Sequence, residues 1–194
     1  MLKHLWTAVR MTVISIIIFG LCYPLAIWGI GRVALPWQSA GSFVRVGGHV
    51  VGSAIIGQSW KQRRYFHGRP SAAGKEGYDP TATGGSNLGP DSKALLARER
   101  ATIAHLQLAN PAGGEPPIDL VTESGSGIDP DIAPADARYQ APRVAAARKL
   151  PLRRVLALIA QETQPRELGM FGEPRINVLA LNLALDRLSG ASGR

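Results

Sequence analysis

The 194-residue chain has one cysteine, Cys22, which excludes an internal disulfide and any cysteine-based metal cluster. Histidine is scarce and scattered, at His4, His49, His67 and His105. Acidic residues are outnumbered, 14 against 22 Lys and Arg, for a formal charge of +8 and a pI of about 10.2. Such a balance suits a partner of negative charge: nucleic acid, anionic lipid or an acidic protein. The sequence has no internal repeat and no low-complexity tract. Its length allows about one domain plus extras. The 22 Gly and 14 Pro together imply long ordered loops.

One further absence is more telling. No charge occurs between Arg10 and Arg32. The intervening MTVISIIIFGLCYPLAIWGIG would span roughly 31 Å as a helix, the thickness of a bilayer core. Trp6, Trp28 and Trp37 lie near its ends, as interfacial aromatics do. Pro24 is tolerable in a membrane helix and can kink it. A cleaved signal peptide would have a shorter apolar run and a small-residue cleavage site. Here bulky Tyr23, Trp28 and Trp37 intervene, and Gln38-Ser39-Ala40 is a poor cleavage site. A soluble core helix would need apolar partners on all sides, which so short a chain hardly supplies. The expectation is an uncleaved anchor in residues 1–34, its membrane core about 11–31, followed by a domain over 35–194. Lys3, Arg10 and the amine set against Arg32 and Arg45 tip the positive-inside rule towards a cytoplasmic N-terminus.

Beyond the anchor, residues 35–42 read as a linker. FVRVGGHVVGSAIIG suggests a hairpin around Gly47-Gly48. Residues 67–91 form a long irregular segment, of the kind that is functional or tightly packed in a compact domain. Asp91 or Ser92 can cap a helix to about Leu108, with Leu95, Leu96, Ile103 and Leu106 on one side. Residues 118–122, IDLVT, are a strand candidate. Pro142 and Pro151 both suit first-turn helix positions. Leu152, Val155, Leu156 and Ile159 form a core-facing stripe. The closing GEPRINVLALNLALDRL can alternate as a strand, but Leu181, Leu185 and Leu188 share a helical face, and a helix is expected. The fold class that follows is an α+β domain anchored by one N-terminal transmembrane helix.

TGGSNLGPD, residues 83–91, resembles a phosphate loop at first sight. A Walker loop needs Lys and Ser/Thr after its second glycine, and here Pro90 and Asp91 stand there. Asp91 would repel phosphate and Pro90 removes an N–H donor. The glycines then serve positive φ, with Ser86 and Asn87 bonding the backbone locally. TESGSGIDPD likewise fails as a nucleophile elbow, because Ser124 occupies the place of the first glycine. Glu123, Asp129 and Asp131 could attract a cation, but the EF-hand pattern is missing. KQRRYFHGRP mixes basic and aromatic residues as nucleic-acid binders do. Behind a membrane anchor, a packed ring with a solvated or lipid-facing basic edge is the better reading, and no nucleic-acid partner is expected. No catalytic residues and no metal ligands emerge.

Five motifs in order after one membrane helix carry a resemblance: YFHGRPSA (65–72), GYDPTATGGSNLGP (77–90), DLVTESGSGIDPDIAP (119–134), YQAPRVAAAR (139–148) and GEPRINVLALNLALD (172–186). Together they resemble the C subunit of the Kdp potassium-transporting P-type ATPase over almost the whole chain. That resemblance implies a bacterial inner-membrane, single-pass subunit whose domain is extracytoplasmic. It implies three partners: a channel-like potassium-binding subunit, the P-type ATPase subunit and a small membrane subunit. The aspartyl-phosphate signature D-K-T-G-T and a selectivity filter of the T-V-G-Y-G type are both missing, which suits a non-catalytic role. The family is also described as a catalytic chaperone that raises the pump's ATP affinity, and as ATP-binding. No cofactor of its own is expected, with ATP acting through the complex.

The basic stretch 61–69, Ser126 in the SGSG loop and Gln140 are the nucleotide candidates that follow, although Gln140 also reads as a solvent-facing or capping amide beside a helix start at Pro142. Interaction candidates within or beside the motifs are Tyr65, Phe66, Arg69, Ser86, Asn87, Asp129, Arg143, Asn177 and Asn182. The alternatives are a direct ATP-binding subunit and an unrelated anchored envelope enzyme.

Overall fold

A computed structural model describes residues 2–190. The chain divides into two compact units between Phe43 and Val44. The first is built on a helix that runs without interruption over Leu2–Ala34 and is long and apolar enough to cross a membrane. None of its apolar window is buried within the chain, so its side chains await another apolar medium. It comprises α1 (Leu2–Ser15), a π-helical stretch (Ile16–Cys22) and α2 (Tyr23–Ala34). In the wide stretch the Tyr23 N–H donates to the Ile18 carbonyl five residues back. Pro24 follows at once. In a regular helix its ring would clash with the carbonyl four residues earlier, and the widened turns relieve that crowding. The expected linker is partly ordered: Pro36 starts a one-turn helix, α3 (Pro36–Ser39), and the Trp37 indole N–H donates to the Phe43 carbonyl at 3.1 Å.

Next in the chain is the expected hairpin, β1 (Phe43–Val46) and β2 (His49–Ser53), which from Val44 onward belongs to the second unit. Gly47 and Gly48 take φ of 57° and 83°, the paired positive values that a two-residue turn demands. Residues 57–91 form neither helix nor strand. The helix α4 (Lys93–Ala109) is capped by the Ser92 hydroxyl, which accepts from the Leu95 N–H. No residue of α4 is buried, and Leu96 and Leu108 face solvent.

IDLVT is not a strand. Pro117 leads into a helical turn, α5 (Ile118–Val121), which the Thr122 hydroxyl closes by donating to the Ile118 carbonyl at 3.0 Å. Proline fixes the backbone that starts this turn, which outweighs the β-branched composition. Nor does Pro142 start a helix. It lies inside α6 (Pro134–Arg148), which begins at Pro134 with the Asp136 carboxylate accepting from the Ala133 N–H at 2.9 Å. The carbonyl that Pro142 leaves unpaired belongs to Arg138, an exposed residue, so water can satisfy it.

Pro151 stands at the N-cap of α7 (Leu152–Glu162), one residue before the first-turn position expected of it. Its buried stripe is Val155, Leu158 and Ile159, whereas Leu152 and Leu156 are exposed. The closing segment is a helix, α8 (Val178–Leu188), with Leu181 and Leu185 fully buried and Leu188 exposed. Before it, β4 (Ile176–Asn177) pairs antiparallel with β3 (Asp131–Ile132), Asp131 opposite Asn177. The core joins Phe66, Ile132 and Ile176 to the inner faces of α6, α7 and α8.

Candidate functional site

Two polar clusters absorb most of the residues that the sequence singles out. The first is a set of side-chain clamps on residues 63–67. The Asn182 amide oxygen accepts from the Phe66 N–H at 2.9 Å, and its nitrogen donates to the Phe66 carbonyl at 3.0 Å. Gln140 does the same to His67, at 2.8 and 3.0 Å. A segment without a strand neighbour thus gets its backbone pairing from two amides, one on α8 and one on α6. An amide suits this task because it presents a donor and an acceptor side by side, as a peptide group does.

Arg143, 7% exposed, extends the clamp. Its guanidinium donates to Asn110 Oδ1 and Gln140 Oε1, both at 2.8 Å, and to the carbonyls of Arg63 and Tyr65. Burial and the nearby Arg63 charge push its pKa down to about 10. Burial, then the charge of Arg143, holds His67 down at about 4, so its ring is neutral at physiological pH. Arg148 donates to the Arg64 carbonyl at 2.8 Å, pairs with Asp186 at 2.6 Å and lies over the Tyr65 ring at 4.7 Å. The Tyr65 hydroxyl donates to Asp186 at 3.2 Å.

Phe66, Gln140, Arg143 and Asn182 are therefore interior residues, which corrects the expectation that they face a partner or a nucleotide. Gln140 sits in mid-helix, neither solvent-facing nor at a helix start. The reason is the Phe66–His67 backbone: once that segment is buried, each of its peptide groups needs a partner.

The second cluster joins the two glycine-rich loops. The Gly84 N–H donates to the Ser126 carbonyl at 2.9 Å. Ser71 ties the same loops by accepting from the Tyr78 N–H at 2.7 Å and donating to the Gly127 carbonyl. Gly127 has φ of 70°, and a β-carbon there would lie 2.7 Å from Ala73 Cβ and 2.8 Å from the Gly84 carbonyl oxygen. Its glycine is thus required by both conformation and contact. The exposed Ser126 hydroxyl accepts from the Ile128 N–H at 3.2 Å, a local turn. Ser126 and Gln140 thus take part in different hydrogen-bond clusters.

The remaining candidates are mostly structural in place. Arg69 pairs with Asp129 at 3.6 Å, and the Tyr78 hydroxyl donates to the Arg69 carbonyl at 2.6 Å. Burial and the Asp129 charge push the Tyr78 phenol up to about 12. Ser86 accepts from Arg98, which also pairs with Glu123 at 2.9 Å. Asn87 is exposed at φ of 53°, a conformation asparagine tolerates. Asn177 caps α8 by accepting from the Ala180 N–H and donates to the Ala54 carbonyl. Among the described residues, no group of three or more His, Cys, Asp or Glu could hold a metal ion.

One feature went unread in the sequence. Residues 164–175 form an antiparallel arm that pairs Gln164 with Arg175 and Glu167 with Phe171. Arg166 pairs with Glu173, and Arg175 with Glu167, both at 2.7 Å. The signal was present in RELGMFGEPR, where mirrored charges flank two glycines.

Comparison with known proteins bears on this architecture. The family model described as K+-transporting ATPase, c chain (KdpC), matches residues 5–187. A potassium-transporting ATPase KdpC subunit of Gemmatimonas aurantiaca is 51% identical over 192 residues, covering 99% of this chain and 96% of that one. The protein of the same name from Caulobacter vibrioides is 52% identical over 187 residues, 96% of this chain and 94% of its own. One from Methylobacterium nodulans is 48% identical over 201 residues, 98% of this chain and all of its own. The match runs from the apolar helix through the clamps and glycine loops to α8, and the chain belongs to the KdpC family, the c chain of K+-transporting ATPases.

Proposed function

We propose that the chain is a non-catalytic accessory subunit of an ATP-driven potassium-uptake complex in a bacterial inner membrane, assembled with a channel-like subunit, a P-type ATPase subunit and a small membrane subunit. The helix Leu2–Ala34 is its anchor, with the N-terminus cytoplasmic and the domain from Val44 onward extracytoplasmic. The domain stabilises the complex and raises the pump subunit's affinity for ATP through subunit contacts. The observation that carries this reading is the exposure of an apolar helix of membrane length ahead of a domain whose buried amides, Asn182 and Gln140, are spent on its own backbone. Both polar ends of the Gln140 amide are engaged internally, and Arg143 spends its donors on neutral protein oxygens. This supports an indirect route for ATP, a coupling free energy between separate sites.

The test compares the purified complex with and without this chain. With it, the ATP KM of hydrolysis should be several-fold lower, a coupling of about 1–2 kcal/mol, while ATP should not bind the chain alone at millimolar concentration. Saturable ATP binding to the isolated full chain would refute the indirect route. A reporter fused after Arg194 that proved cytoplasmic would refute the orientation.

A further inference from the structure

The arm over residues 164–175 ends in a tip whose side chains do nothing for the fold. Residues 164–173 are all exposed, so the arm stands off the domain. Leu168, Met170 and Phe171 are 87%, 69% and 60% exposed. The Met170 N–H donates to the Glu167 carbonyl, closing a four-residue turn with Leu168 and Gly169 at its centre. Both central residues have positive φ, 52° and 75°. Such a turn favours Asn-Gly at these positions. A bulky leucine in the left-handed region is strained, because its β-carbon crowds the following carbonyl. A strained backbone that presents an exposed apolar side chain gains nothing within the chain. Strain of this kind collects at binding and switching sites.

The stem below the tip is braced for a fixed geometry. Two antiparallel pairs and the ion pairs Arg166–Glu173 and Arg175–Glu167 hold its strands together, and Arg175 also reaches Asp131 at 3.4 Å, tying the base to β3. These charges also identify the kind of surface the tip meets. A loop that enters an anionic lipid surface is ringed by unpaired Lys and Arg. Here two arginines face two glutamates, the arm carries no net charge, and Glu167 and Glu173 would be repelled by anionic headgroups.

We propose that this arm is a docking peg, and that Leu168, Met170 and Phe171 enter an apolar cleft on another subunit of the complex. The proposal rests on the reading of the chain as a complex subunit. Few interface residues carry most of an interface's binding energy, and an aromatic or aliphatic anchor seated in a partner's pocket is one form they take.

Two experiments on the complete, membrane-expressed complex decide it. The first is the double variant Leu168→Asn, Met170→Ser in a tagged full chain. Asparagine suits the turn and serine suits solvent, so the melting temperature of the chain should hold or rise. Recovery of the other subunits through the tag should fall about tenfold or more. A lowered melting temperature, or undiminished recovery, would overturn the proposal. If the unaltered chain recovers no other subunit, the subunit reading itself fails, which is a separable result. The second experiment places the photo-crosslinker p-benzoylphenylalanine at position 170, with position 75 on another exposed loop as control. The expected product is a light-dependent adduct with another subunit from position 170 only. Adducts solely with lipid, solely with a second copy of this chain, or none at all would overturn it.

Discussion

Replacing Asn182 by aspartate changes one atom group in a fully buried clamp and should turn its stability into a function of pH. The amide now gives Phe66 both an acceptor, at 2.9 Å, and a donor, at 3.0 Å. A carboxylate keeps the acceptor but sets a second bare oxygen against the Phe66 carbonyl. The protonated acid restores the donor and matches the amide in shape. The folded state therefore raises the aspartyl pKa, and Asn182→Asp is stable to the extent that it stays protonated. With an ordinary aspartate pKa near 3.9 in the unfolded chain, keeping the proton at pH 7 costs about 4 kcal/mol at most, and about 1.5 at pH 5. For a unit of this size each kcal/mol shifts the melting temperature by about 2–4 °C. The variant should thus melt roughly 8–16 °C below the unaltered chain at pH 7, and the gap should narrow steadily to pH 5. The assay is thermal melting of the detergent-solubilised full chain, with the difference taken at each pH so that other titrations cancel. Asn182→Ala should lose a comparable amount with no such pH dependence. A gap for Asn182→Asp that stays constant from pH 7 to pH 5 would refute the reciprocal hydrogen bonding.

Three further outcomes are expected. Gly127→Ala should destabilise the domain by about 2–4 kcal/mol, since the residue needs positive φ and its new methyl group meets Ala73 and the Gly84 carbonyl; chemical denaturation measures it, and a loss below about 1 kcal/mol would be incompatible with the close approach of the loops. Asp136, pushed up to about 6 chiefly by burial, contributes stability below pH 3.8 that is lost as pH rises through 6; His67, held near 4, contributes stability above pH 6.5 that is lost as pH falls towards 4. The two slopes oppose each other between pH 4 and 6, so Asp136→Asn should lose stability to acid more steeply than the unaltered chain, and equal slopes in pH-dependent melting would contradict that. Ser126→Ala should change stability by under about 1 kcal/mol, because its exposed hydroxyl makes only local contacts, a turn bond from the Ile128 N–H and a long 3.5 Å contact with the Ser124 hydroxyl, while its carbonyl, which holds Gly84, remains; a larger loss in denaturant titration would refute this local role.

Local rules carried the sequence reading as far as local physics reaches. The uncharged run, the Gly47-Gly48 turn, the Ser92 cap and the Leu181–Leu185 face each depend on neighbours a few residues away, and each is found as expected. The errors came where proline and burial compete. Pro142 reads as a helix start because proline favours the first turn, yet it sits inside α6 with its orphaned carbonyl at an exposed residue. Gln140 reads as a surface amide because most glutamines are exposed. Only contact with His67, 73 residues earlier, gives it an interior role. The same holds for Asn182 and Phe66, 116 residues apart. No periodicity reports a pairing at that range. The arm was legible in principle from its mirrored charges, but short charged hairpins lack the apolar alternation by which strands are recognised.

The π-helical stretch in the N-terminal helix has a consequence for how the anchor meets its surroundings. In a regular helix each residue turns the chain by about 100°, so a stripe of side chains can be followed from end to end. Widened turns between Ile16 and Cys22 admit an extra residue and put the two halves out of phase. Residues 2–15 and 23–34 consequently behave as two short ribbons with different bearings about one axis. A neighbour that packs along the first half is not continued by the second, and two different molecules can be greeted by one uninterrupted rod. Cysteine scanning through the span should accordingly show one repeat of reactive positions before Ile16 and a second, rotated repeat after Cys22.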